Sequence, residues 1–257
     1  MAFDRKDYAR ELVTDVLDDT SLMFGTSELC VRINGLDKTN DDNLALRDLE
    51  AVLQCKRLSS IVVPKVEKVS DVCFVTEIIH AHNRGIRILA AIESALGILN
   101  LRDIAETSVQ KGYPLETLIF ASEDYCADIE AIRTPHATEL IFARSQLVTT
   151  AKAYSLQAID MVHIDFKDLE GLATECKEGR QLGFTGKQAI HPHQIPCIHQ
   201  SFAPSKKEME FAETVVKEFE AAEASGKGAC VVDGIVVDLP VYKWARKIIS
   251  QKAPQFP

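Results

Sequence analysis

Several things are missing from this sequence, and each absence narrows its role. No apolar run approaches the ~20 residues that a bilayer-spanning helix requires, and the opening stretch Asp4-Arg5-Lys6-Asp7 is charged, without the apolar core of a secretory signal. No membrane association is expected. Basic clusters are scarce: 29 Lys and Arg stand against 38 Asp and Glu, a net charge of −9, with a pI near 5.3. That balance argues against nucleic acid or an anionic membrane surface as a partner, because both are bound through positive patches. An anionic substrate would therefore need local cations or a metal. The seven cysteines never occur as Cys-x-x-Cys and are odd in number, so neither a disulfide framework nor a clustered thiolate zinc site is expected. Low-complexity segments and internal repeats are also missing.

What is present suits an ordinary globular chain, with 46% apolar and 26% charged residues. Short β-branched runs alternate with longer helical patterns. Glu28 to Ile33, Ser60 to Val63, Ile86 to Ile92, Glu116 to Ala121, Ile159 to Ile164 and Leu182 to Ala189 read as buried strands. Asp42 to Lys56, Val69 to Asn83, Ala95 to Lys111, His136 to Ser155 and Lys167 to Arg180 read as helices between them. Strand, helix, strand at this spacing predicts parallel βαβ units of an α/β fold, whose strands are apolar on both faces when helices cover them. Six such units follow a lone helix from Lys6 to Leu17. A closed TIM (β/α)8 barrel needs two more strands and one more helix ahead of Met1. The expectation is an open sheet, or a barrel that lacks its first two strands and first helix, over residues 1–200.

Residues 201–257 are expected to form a C-terminal extension. Ser205 to Ala224 is a periodic amphipathic helix. Ala229 to Val232 and Ile235 to Val237 flank Asp233-Gly234, a hairpin turn dipeptide. Asp238-Leu239-Pro240 then starts a last helix, with Asp238 as N-cap and Pro240 in the first turn.

Active sites of parallel α/β folds lie at the carboxyl ends of the strands. There the sequence reads Arg32-Ile33-Asn34, Pro64-Lys65-Val66-Glu67, Glu93-Ser94, Ser122-Glu123-Asp124 and Gly186-Lys187-Gln188. Glu93 and Asp124 follow consecutive strands, about 4.8 Å apart in any sheet, so their carboxylates can converge on one Mg²⁺; the macrodipole of a following helix explains the same two acids without a metal. Arg32 stands in an apolar strand and needs an anionic partner. A substrate oxygen would serve, as would an ion pair with Glu67 or another strand-end acid. His191 and His193 form a His-x-His pair able to bind a transition metal given a third ligand, although histidines beside Pro192 also serve as loop structure.

Taken in order, Val31-Arg32-Ile33-Asn34, Pro64-Lys65-Val66-Glu67, Ile92-Glu93-Ser94-Ala95-Leu96-Gly97, Ser122-Glu123-Asp124-Tyr125, Gln157-Ala158-Ile159-Asp160, Gly183-Phe184-Thr185-Gly186-Lys187-Gln188 and Ile190-His191-Pro192 resemble the citrate lyase β-subunit and malyl-CoA lyase family. The likeness runs from about Asp4 to Trp244. It implies a Mg²⁺-dependent carbon–carbon lyase cleaving (3S)-citramalyl-CoA to acetyl-CoA and pyruvate, with a malate synthase side activity on glyoxylate. It further implies that Glu93 and Asp124 hold the metal, that Arg32, Ile190 and His191 contact substrate, and that Asp238 is the catalytic acid/base, delivered to a neighbouring subunit of a homotrimer. A mitochondrial location is implied too, with any transit peptide lying ahead of Met1. Two departures stand out. Ala121-Ser122 replaces the family's Gly-Gly before the acidic pair, and the family's opening strand, helix and second strand have no counterpart. A truncated chain acting as a binding or assembly subunit, and an aldolase using free keto-acids, are the alternatives.

Overall fold

The computed structural model describes residues 5–36 and 44–250, which form two compact units. The first comprises residues 1–164 and 178–190 and the second residues 165–177 and 191–257. Asp4 and the expected helix start at Asp42 lie outside the described residues.

In chain order the first unit contains α1 (Lys6–Asp18), β1 (Cys30–Arg32), α2 (Leu44–Val52), β2 (Ser60–Val63), α3 (Val69–Ala81), β3 (Arg87–Ile92), α4 (Ala95–Leu99), α5 (Leu101–Gln110), β4 (Leu115–Phe120), α6 (Ser122–Asp128), α7 (Ile141–Ala153), β5 (Gln157–Asp160) and β6 (Gly186–Lys187). The strands form one six-stranded parallel sheet in the order β1-β2-β3-β4-β5-β6. Neighbours in sequence are neighbours in the sheet, as in a (β/α) barrel. Among the described residues no pairing joins β6 to β1. Ile61, Val63, Ile88, Ala90, Ile92, Leu118 and Phe120 are buried, and each large apolar side chain taken from water contributes ~1.5–3 kcal/mol.

Several boundaries differ from expectation for physical reasons. β1 is exposed at Cys30 and Arg32 instead of buried, since β2 is its one strand neighbour among the described residues. Helix α2 stops at Val52 because the Arg84 guanidinium takes the carbonyls of Leu53, Cys55 and Leu58. The single helix expected over Ala95 to Lys111 breaks at Asn100, whose side-chain amide donates to the Glu67 carbonyl at 2.8 Å. The expected strand start at Leu182 is instead the last turn of α8 (Leu169–Leu182), which Gly183 ends at a φ of 103°. No helix among the described residues is long and apolar enough to cross a membrane.

Polar contacts lock the β5 and β6 end of this sheet. Arg144 on α7 grips Asp160, the last residue of β5, through Nε–Oδ1 at 3.1 Å and Nη2–Oδ2 at 2.7 Å, and Lys187 Nζ stands 3.9 Å from the same Oδ2. Gln188 Nε2 donates to the Phe120 carbonyl at 2.9 Å, tying the end of β4 to the segment after β6. A Cβ at Gly179 would lie 2.5 Å from Asp160 Oδ2. Gly179→Ala is therefore expected to lower the unfolding free energy by about 3 kcal/mol, since it separates a buried ion pair; urea denaturation at constant m-value would measure it.

The second unit contains the first turns of α8, α9 (Ile195–Phe202), α10 (Lys206–Ala224), the antiparallel hairpin β7 (Cys230–Val232) and β8 (Ile235–Val237), and α11 (Leu239–Ser250). Ser205 and Glu208 form a capping box on α10. Asp233 and Gly234 hold φ of 49° and 80°, as a tight hairpin turn requires. Ala212, Val215, Phe219, Val232, Val237, Ala245 and Ile248 form its core.

Candidate metal centre at the strand ends

Glu93 directly follows β3, and the β3–β4 register carries on past Ile92 and Phe120 through the Ala121 N–H, which donates to the Ile92 carbonyl at 3.1 Å. Its side chain is 2% exposed, yet neither carboxylate oxygen has a hydrogen bond of good geometry, and the Lys65 backbone N–H offsets its charge only in part. Arg32 Nη2 stands 3.6 Å from Oε1. Burial pushes the Glu93 carboxyl above its ordinary range; Arg32 opposes the rise, and the negative charge of Asp124 adds to it. An oxygen pair in this state is unsatisfied, and a cation would satisfy it.

Asp124 lies in the first turn of α6. Its carboxylate faces Lys65 Nζ at 3.6 Å and is 53% exposed. The neighbouring Glu123 is otherwise engaged: its Oε1 accepts from Arg133 Nε and Ser122 Oγ, each at 3.1 Å. Arg133 also reaches Glu139 at 3.3 Å, so the loop after α6 is pinned by its own charges. Ala121 has φ −104° and ψ 92°, an ordinary extended conformation that needs no glycine, and Ser122 is buried.

Arg32 is the last residue of β1 and its side chain is 63% exposed, so the expected buried guanidinium is instead an edge residue. Its partner is Glu93 and not Glu67, which accepts from Ser94 Oγ at 2.7 Å. The loop behind Arg32 is anchored by Asp48, whose carboxylate accepts from the Asn34 N–H at 2.7 Å, the Asn34 side chain at 2.6 Å and Arg10 Nε at 2.7 Å. Sequence reading marks Lys65 as a strand-end residue and gives it no role. Its signal was available: a charge immediately after an apolar strand and Pro64, on the edge that carries Arg32, Glu93 and Asp124.

Ile190, half exposed, ends the last segment of the first unit. His191, in the second, stacks on Phe166 with ring centroids 4.8 Å apart. Its Nδ1 accepts from the His193 N–H at 3.1 Å, which occupies one nitrogen of the His-x-His pair. Among the described residues no group of three or more His, Cys, Asp and Glu side chains is arranged to hold a metal. Asp238, also in the second unit, precedes α11, and its Oδ1 accepts from the Val241 N–H at 3.4 Å, a long N-cap contact.

Over residues 1–192 the chain matches the HpcH/HpaI aldolase/citrate lyase family, and over residues 142–256 the C–C bond lyases of the TIM-barrel fold. It is 35% identical to the mitochondrial citramalyl-CoA lyase of Rattus norvegicus, covering 97% of this chain and 75% of that protein. It is 34% identical to citrate lyase subunit beta of Escherichia coli (strain K12), covering 98% and 82%. Among solved structures, CitE from Mycobacterium tuberculosis in complex with magnesium, acetoacetate and coenzyme A is 26% identical and superposes with a TM-score of 0.75, covering 99% of this chain and 86% of that one.

Proposed function

The chain belongs to the HpcH/HpaI aldolase/citrate lyase family, and from that premise we propose that it is a Mg²⁺-dependent carbon–carbon lyase that cleaves (3S)-citramalyl-CoA to acetyl-CoA and pyruvate. The observation that carries this reading is the buried Glu93 carboxylate, with no hydrogen bond of good geometry to either oxygen and within the electrostatic reach of Asp124. Two carboxylates are hard oxygen donors that suit Mg²⁺ and leave positions for substrate oxygens. Glu93 and Asp124 would hold the ion, whose contribution when bound is to grip and polarise the keto-acid oxygens.

The remaining work falls to side chains of this chain. Cleavage breaks the bond between the carbinol carbon and the methylene next to the thioester; the hydroxyl loses its proton to the Asp238 carboxylate, and the methylene leaves as the acetyl-CoA enolate. Arg32 offsets the charge that develops on the enolate oxygen. Asp238 delivers a proton to the enolate carbon, completing acetyl-CoA. Run in reverse, the same carboxylate would remove a proton from the acetyl methyl, which accounts for a malate synthase side activity with glyoxylate. Ile190 and His191 contact substrate.

Asp238 reaches this chemistry in a homotrimer in which residues 201–257 extend to a neighbouring subunit. The mitochondrial name of the rat relative supports a mitochondrial location. Incubating the purified chain with citramalyl-CoA should yield acetyl-CoA and pyruvate in equal amounts, with Mg²⁺ and not with EDTA. Turnover of free keto-acid aldols without CoA would favour an aldolase instead, and metal binding without turnover of either substrate would favour a binding subunit.

A further inference from the structure

Lys65 has no role in the mechanism above, and its geometry calls for one. It follows β2 at the edge shared by Arg32, Glu93 and Asp124, with its ammonium 3.6 Å from Asp124 Oδ1 and its charge felt at Glu93. Both members of the Lys65–Asp124 pair are more than half exposed, so the pair adds little to stability. Lys65 also holds a φ of 53°, in the left-handed region where a side chain is disfavoured. Neither backbone preference nor the strength of the ion pair accounts for a lysine held here.

The charges of the site supply the reason. Glu93 and Asp124 carry two negative charges, which one divalent cation cancels, leaving Arg32 and Lys65 as two uncompensated cations. The proposed cleavage presents two anionic groups, the enolate oxygen and the carboxylate of the keto-acid fragment. Arg32 serves the first. We infer that Lys65 binds the carboxylate of the keto-acid fragment, and that its ammonium passes from Asp124 to this carboxylate when a divalent cation is held. The inference rests on the metal-centre reading of Glu93 and Asp124.

The test uses Mn²⁺ and pyruvate as probes, without turnover. Calorimetry on the wild-type chain and on Lys65→Met should show Mn²⁺ binding tightened several-fold in the variant, because the ammonium no longer competes for Asp124. Pyruvate binding at saturating Mn²⁺ should weaken by roughly tenfold or more, the loss of one charge-assisted contact. Lys65→Arg should retain most of the pyruvate affinity. Lys65→Gly guards against a folding artefact: it should lose pyruvate affinity as Lys65→Met does while raising Tm by about 2 °C, since glycine adopts the left-handed φ without strain. Unchanged pyruvate affinity in a Lys65→Met protein that binds Mn²⁺ overturns the lysine assignment alone. A wild-type chain that binds no Mn²⁺ overturns the metal centre, and this inference with it.

Discussion

Replacing Glu93 by Gln should lower Mg²⁺-dependent turnover by roughly a hundred- to a thousandfold, the scale on which single electrostatic groups at a reacting centre act, while making the metal-free protein more stable. The two effects share one cause. Glu93 is buried with no hydrogen bond of good geometry to either oxygen, and the pull of Arg32 does not outweigh its burial, so its charge burdens the metal-free fold. The sign with pH follows. The folded carboxyl lies above its unfolded value of 4.5, so between the two the folded state holds more protons than the unfolded one, and stability falls as pH rises through that window. The penalty is absent below 4.5 and fully present above the folded value. Denaturant titrations of metal-free protein from pH 4 upward should show the wild type losing stability relative to Glu93→Gln. A flat difference would mean that Glu93 titrates normally. Asp124→Asn should match the loss of turnover without the stability gain, because Asp124 is half exposed.

Asp238 offers an equally large effect with a different signature. Its carboxylate caps α11, and Asn caps a helix about as well as Asp. Asp238→Asn should therefore leave Tm and Mn²⁺ binding unchanged while lowering kcat by ~10²–10⁴, the range for loss of a general acid. Asp238→Ala should add a stability loss of about 1 kcal/mol from the missing cap. If Asp238→Asn turns over normally, the residue is a cap and no more, and the proton must come from elsewhere.

The parallel order of the sheet was legible because β2, β3 and β4 are apolar on both faces and punctuated by Pro, Gly and Asn. The strands at the two ends were read less well. Leu182 and Phe184 look like strand residues, but hydrophobicity does not reveal that Gly183 caps a helix between them, and the β6 ladder is reduced to Gly186–Lys187. That Glu93 and Asp124 follow neighbouring strands was legible from position. The choice of Asp124 over Glu123 has its physical basis in Arg133, nine residues downstream of Asp124, which occupies Glu123. The left-handed φ of 53° at Lys65 was not legible either, because no composition or period encodes it.

The groups that meet at this edge, Arg32, Lys65, Glu93 and Asp124, come from the ends of β1, β2 and β3 and the start of α6, each separated from the next by at least one whole helix. In an unfolded chain those groups lie tens of residues apart and have no shared affinity for a cation. An ion held by Glu93 and Asp124 would therefore bind the folded state alone, and at a hundred times its Kd it would deepen the folded well by about 2.7 kcal/mol. A chelator added to such a protein acts on how long the chain stays folded as well as on how fast it turns over.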